Sequence, residues 1–152
     1  HPCEIVSDGG QDIYILSLGD GSFKSAKIQR IEVSNNFEIS TVPIDNPVKM
    51  DADTYNNLLY VVTKDADIPE NELYIYDAFT EMTIGTYPAN GSYLKNVCGL
   101  SADPYTGLVY VCYTEGTEGY ALAVSAVDGL VFNGIPVGEA VPVKAVTVYS
   151  EQ

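Results

Sequence analysis

The sequence has no tryptophan, two methionines and a single histidine, His1, among 152 residues. One imidazole at the terminus leaves no Ser-His-Asp relay, no H-E-x-x-H zinc helix and no second His for an amino-terminal copper brace. C-x-x-C and P-loop spacings are also missing, and the glycines of "SDGGQD" and "GDGS" precede no helical pattern that would cradle a phosphate. Cations are scarce: Lys+Arg 7 against Asp+Glu 21 gives a formal net charge of -14. Such a surface repels phosphate backbones and argues against a nucleic-acid partner. No apolar run approaches the roughly 18 residues of a membrane-spanning helix. Initiator Met, basic leader and apolar leader segment are all lacking, so the start at His1 reads as a processed terminus or an excised fragment.

What is present is a core-forming composition, 46% hydrophobic and 18% charged, in a length that suits one domain. It is organised as a repeat. Asp53 and Asp103 lie 50 residues apart, as do Tyr60 and Tyr110, Val48 and Cys98, and Val62 and Cys112. A weaker copy precedes them, with Asp8 45 residues before Asp53, Tyr14 46 before Tyr60, and Cys3 95 before Cys98. Each unit closes alike, on "TVPI", "TYPA" and "GIPV".

Inside each unit the period is that of strands. "DIYILSL", "LLYVVTK" and "LVYVCYT" are β-branched and aromatic runs bounded by turn residues. "KIQRIEVS" and "ELYIYDAF" alternate with period two. Four strands per unit are expected: 3–7, 12–18, 27–33 and 38–44; 47–52, 58–64, 72–77 and 82–88; 97–102, 108–114, 120–127 and 130–137. "DTYNN" and "DPYTG" supply the tight connections. Pro43, Pro88 and Pro136 end the fourth strands, where a missing N–H suits an outer edge.

Four antiparallel strands recurring at this spacing mark a β-propeller. "NPVKMDADTYNNLLYVVTK", "NELYIYDAFTEMTIGTYPANG" and "GIPVGEAVPVKAV" resemble the YVTN-type propeller repeat of surface and exported proteins, over about residues 47–146. Lys64 stands where that family has Asn. The resemblance implies a fold and a location outside the cell or at its surface, and carries no shared catalytic site.

The expected architecture is therefore all-β: one domain (1–152) of three four-stranded antiparallel blades plus an extra C-terminal strand. Blade 1 covers about 1–45, blade 2 46–95, blade 3 96–138, and an exchange strand 139–152. A β-sandwich of the same strands is the alternative. Closed propellers take about four to eight blades, so three blades and a strand do not close a ring. "VPVKAVTVYSEQ" restarts the pattern, and Val143, Ala145, Val146 and Val148 are candidates for strand donation to a neighbouring copy. The expected partners are other copies, in a ring or fibre, or the remainder of a larger propeller.

Other candidate sites are fewer. With 103–107 as a turn, antiparallel register sets Cys98 opposite Cys112, a candidate disulfide; the alternative is two small buried hydrophobes, matching Val48 and Val62. Cys3 is left over, as a free thiol or a link to another subunit. Asn90-Gly91-Ser92 is a glycosylation sequon. "KDADIPENE" places Asp65, Asp67, Glu70 and Glu72 in one acidic run, a weak Ca²⁺ candidate without the glycine of an EF-hand loop. No other metal site and no cofactor are expected. Tyr93, Tyr105 and Tyr113 are candidates for outward-facing stacking surfaces.

The functional expectation is a non-enzymatic extracellular structural or binding module that assembles through blade edges. A carbohydrate-binding propeller lectin is one alternative. A metal-dependent propeller hydrolase or lactonase, working through a carboxylate pair, is the other.

Overall fold

A computed structural model describes residues 1–20, 25–64, 70–87, 94–125 and 131–139, with backbone alone at 131–133 and 139. Three four-stranded antiparallel sheets follow one another along the chain. The first contains β1 (Pro2–Ser7), β2 (Asp12–Ser17), β3 (Lys27–Glu32) and β4 (Glu38–Thr41). The second contains β5 (Pro47–Asp53), β6 (Leu58–Lys64), β7 (Glu70–Asp77) and β8 (Met82–Tyr87), with the two-residue β9 (Leu94–Lys95) added against β7. The third contains β10 (Val97–Asp103), β11 (Leu108–Glu115), β12 (Glu118–Ser125) and β13 (Val131–Glu139). Each sheet runs in sequence order, so every described blade is complete from its own consecutive strands. The sandwich alternative is set aside, because three separate sheets stack in series.

The stacking follows from which positions alternate. Blade 1 contributes Tyr14, Leu16 and Ile28, and blade 2 contributes Met50, Leu59 and Val61, to one buried cluster. The other face of blade 2 sends Tyr60, Val62, Leu73 and Ile75 into a second cluster with Ala102, Val109, Val111 and Leu122 of blade 3. Blade 2 is thus covered on both faces. That is why β6 is buried from Leu59 through Thr63, while β2 alternates buried and half-buried residues. The first strands of the three blades lie side by side, β5 touching both β1 and β10.

Two differences from the expected strands have clear causes. The fourth strand of blade 1 stops at Thr41. Pro43 has no N–H to continue the ladder, and the chain turns inward there: Val42 N donates to Ile28 O at 3.0 Å, and Val42 and Ile44 enter the core. The first strand of every blade carries a bulge, between Pro2 and Glu4, Pro47 and Lys49, and Val97 and Gly99. The extra residues are Cys3, Val48 and Cys98, the same three positions that the repeat aligns.

Candidate functional site

The bulge corrects the cysteine register. Cys112 pairs with Gly99, and Cys98 is the inserted residue beside that pair. Two residues thus oppose one across the ladder. The cysteines are free thiols in this structure. Cys98 Sγ donates to the Cys112 carbonyl at 3.4 Å, and Cys3 Sγ makes the equivalent contact to Leu16 O at 3.6 Å. Burial, and then the nearby Cys98, push the Cys112 thiol above its ordinary value.

Several sequence-derived candidates fall outside the described residues: Asn90, Tyr93, Asp65, Asp67, and the exchange positions Val143, Ala145, Val146 and Val148. Of the acidic run, Glu72 accepts the Tyr74 hydroxyl at 2.9 Å, and one Glu70 oxygen is buried with no hydrogen-bond partner among the described groups. Among the described residues no three metal-ligating side chains cluster. Tyr113 is half-buried and stacks on Tyr120, ring centroids 5.3 Å apart.

Tyr105 is outward, and it has company that the repeat comparison overlooked. Asp53 Oδ1 accepts the N–H of Tyr55 and Asn56, each at 3.0 Å, and its second oxygen accepts Asn56 Nδ2 at 2.8 Å. Asp103 does the same for Tyr105 and Thr106 at 3.0 and 3.4 Å. Asp77 holds Phe79 and Thr80 at 2.8 and 3.1 Å. The fifth residue of each turn has a left-handed backbone: Asn57, Glu81 and Gly107 at φ 56, 58 and 67. One local rule, Asp-x-aromatic-x-x, builds all three turns and leaves the aromatic at the tip. Tyr55, Phe79 and Tyr105 are 79%, 87% and 82% exposed.

All three tips sit at the same end of the stack. Asn71, near the opposite end of blade 2, accepts the N–H of Val97 at 3.1 Å, so β10 starts at that far end. It therefore finishes at the end that carries Tyr55 and Phe79. Blades 1 and 2 agree there: a Cβ at Gly9 would lie 2.7 Å from Thr54 Cβ, and Arg30 of β3 reaches Glu81 in the β7–β8 turn. The same Arg30 bonds Asp12 Oδ2 at 2.7 Å from Nε and 2.5 Å from Nη2.

Near the first strands, carboxylates join blade to blade. Glu4 accepts Met50 N at 2.7 Å and pairs with Lys49 Nζ at 2.9 Å. Asp51 accepts Ala102 N at 2.8 Å and Ala52 N at 2.9 Å. Burial pushes the Asp51 carboxyl up from 3.8, while the bonds from Ala102 and Ala52 hold it back. A carboxyl with a raised folded pKa keeps its proton better in the folded state. Its stabilising contribution is complete below the unfolded value and is lost as pH rises through the folded one. Relative to Asp51→Asn, which cannot titrate, the wild type should therefore lose stability as pH climbs from below 3.8 toward neutrality. Urea unfolding of both proteins across that range measures it; a gap that widens in the wild type's favour would contradict the assignment.

Glu4, Asp12 and Asp51 are bonded to backbone N–H groups or to Arg30 or Lys49, and the nearby Glu4 charge adds to burial in raising the Asp51 carboxyl. The aromatic tips are what the end surface offers outward. No protein-family model and no curated protein matches the chain. Among solved structures, a chain of a nidogen/laminin complex is similar at TM-score 0.61 and 13% identity, over 91% of this chain and 48% of that one. The β-propeller domain of the trilobed protease from Pyrococcus furiosus, which has an open velcro topology, is similar at TM-score 0.64 and 10% identity, over 91% and 43%. The chain spans about half the length of either. Its fold is that of a β-propeller, built here as three blades whose sheets do not close into a ring.

Proposed function

We propose that the chain is a non-enzymatic structural or binding module, akin to YVTN-type propellers, that acts outside the cell or at its surface within an assembly of copies or of a larger propeller. The observation that carries this reading is the unfinished stack: among the described residues, blade 2 is covered on both faces, while blades 1 and 3 each pack on one neighbouring blade. An isolated module of this kind has surfaces whose use is to meet other chains.

The carbohydrate-binding reading has one observation in its favour, the three matched aromatic tips at one end. Tyr and Phe rings offer the stacking faces that sugar rings use. A glycan array on the wild type and on Tyr55→Ala/Tyr105→Ala separates the two: binding lost in the variant supports the lectin. The hydrolase alternative is tested with a panel of chromogenic lactones, glycosides and esters, with and without Ca²⁺. No turnover above buffer is expected. Turnover abolished by a chelator would overturn the non-enzymatic reading.

A further inference from the structure

Two tyrosine hydroxyls inside the stack lack a partner. Tyr14 and Tyr60 are 0% and 1% exposed. Neither hydroxyl has a hydrogen-bond partner among the described groups. A buried polar group left unbonded is costly, and such groups are uncommon in folded proteins. Two of them at matching places in successive blades call for a common cause.

The places match strand by strand. Tyr60 of β6 pairs with Asp51 of β5, and Asp53 stands two residues further along the same face. Tyr14 of β2 pairs with Val6 of β1, and Asp8 stands two residues beyond Val6. The pattern returns in blade 3, where Tyr110 pairs with Ser101 and Asp103 follows two residues on. Each tyrosine thus meets an aspartate of its own blade across the diagonal that an aromatic side chain can span. Tyr14 belongs to the cluster between blades 1 and 2, and Tyr60 to the cluster between blades 2 and 3. Asp8 and Asp53 are buried with them.

The aspartates are near, but their turns hold them in place. Asp53 Oδ1 accepts the N–H of Tyr55 and Asn56, each at 3.0 Å, and Oδ2 accepts Asn56 Nδ2 at 2.8 Å. Asp8 Oδ1 accepts the N–H of Gly10 at 2.8 Å and of Asp12 at 3.3 Å. A carboxylate has about four lone-pair sites, so each aspartate keeps acceptor capacity to spare. Burial, and then the Asp53 charge, push the Tyr60 phenol above its ordinary value. Burial does the same to Tyr14, with Arg30 opposing and Asp8 and Asp12 adding. Both phenols therefore keep their protons and stand as donors.

Whatever joins them must accept from a phenol and donate to a carboxylate. An anion would be repelled by the carboxylates. A Ca²⁺ or Mg²⁺ ion would want roughly six oxygen ligands, and among the described residues no three metal-ligating side chains cluster. Water both accepts and donates, and it commonly fills buried polar sites of this kind. We propose that each of these two blade junctions is a binding site for one water molecule, bridging Tyr14 to Asp8 and Tyr60 to Asp53. The sites lie within the stack, so they do not depend on what covers its two ends.

A crystal structure that resolves ordered water, read together with thermal melting, tests this. One water should lie within about 2.5–3.0 Å of Tyr14 Oη and of an Asp8 oxygen, and a second equally close to Tyr60 Oη and an Asp53 oxygen. Tyr60→Phe removes only the donor of the bridge and should lower the melting midpoint by about 2–4 °C. Tyr14→Phe should do the same. Tyr55→Phe removes an exposed hydroxyl and should leave the midpoint unchanged. Phenol oxygens bonded directly to the carboxylates, with no water between, would overturn the proposal even if the midpoints fall. A midpoint that holds or rises in either variant would strike that site, because deleting a hydroxyl stranded in a dry core costs nothing.

Discussion

Leu59→Ala is expected to lower the unfolding free energy by about 2–5 kcal/mol. Leu59 lies in the strand that is covered on both sides, and only 1% of it is exposed. It packs in the cluster where Tyr14, Leu16 and Ile28 of blade 1 meet Met50 and Val61 of blade 2. Truncation removes apolar burial and leaves a cavity that two rigid sheets cannot collapse to fill, so transfer and cavity costs add. With roughly 2–4 °C lost per kcal/mol at this size, the melting midpoint should drop visibly. Ile84→Ala on β8 is the matched control. Ile84 is mostly exposed, and its removal should stay within about 0.5 kcal/mol. Urea or thermal unfolding of both variants measures the contrast; equal losses at the two sites would mean that the blades do not stack as described.

The second large effect belongs to Arg30. Its guanidinium joins Asp12 on its own blade to Glu81 on the next. Asp12 is buried, and Glu81 sits in the β7–β8 turn. Arg30→Met retains the apolar stem but leaves the Asp12 carboxylate without its counter-charge. The loss should be about 2–4 kcal/mol, most of it the cost of a stranded buried charge. The two carboxylates hold the guanidinium pKa above its ordinary value against the opposing effect of burial, so Arg30 stays charged wherever the protein folds. The partner test is Arg30→Met combined with Asp12→Leu. If the stranded charge is the cause, the double variant recovers a large part of the stability lost by Arg30→Met. Arg30→Lys keeps the charge without the planar fork and should fall between wild type and Arg30→Met. A double variant as unstable as the two single losses added together would show that the residues act independently.

The blade pattern was legible in the sequence because each physical signal for it is local. Period-two alternation, β-branched runs and Asp-rich turns give twelve strands, and the echo of Asp53 in Asp103 and Tyr60 in Tyr110 sorts them into blades. The bulges were not legible. One inserted residue at Cys3, Val48 or Cys98 has no turn chemistry to announce it, and its effect appears only when a partner strand sets the register. The early end of β4 had a signal in Pro43, though the inward turn of Val42 and Ile44 depends on a neighbouring blade that no window contains.

The end surface shows a different limit. "DTYNN", "DAFTE" and "DPYTG" share their Asp and their aromatic, so the common turn was written plainly. Comparison at the blade period aligns only the first and last, since Asp77 closes the third strand of a blade and not the first. Matching by local chemistry instead of by period finds all three. The ionic link of Arg30 to Asp12 and Glu81 is likewise spread over two blades and appears only in three dimensions.

A crystal structure of the chain is the most direct test. Three four-stranded sheets stacked in series are expected, with Leu59 and Val61 of β6 packed on blade 1 and Tyr60 and Val62 packed on blade 3. A structure in which either face of β6 stands open to solvent, or in which the strands of two blades merge into one sheet of a sandwich, would contradict it.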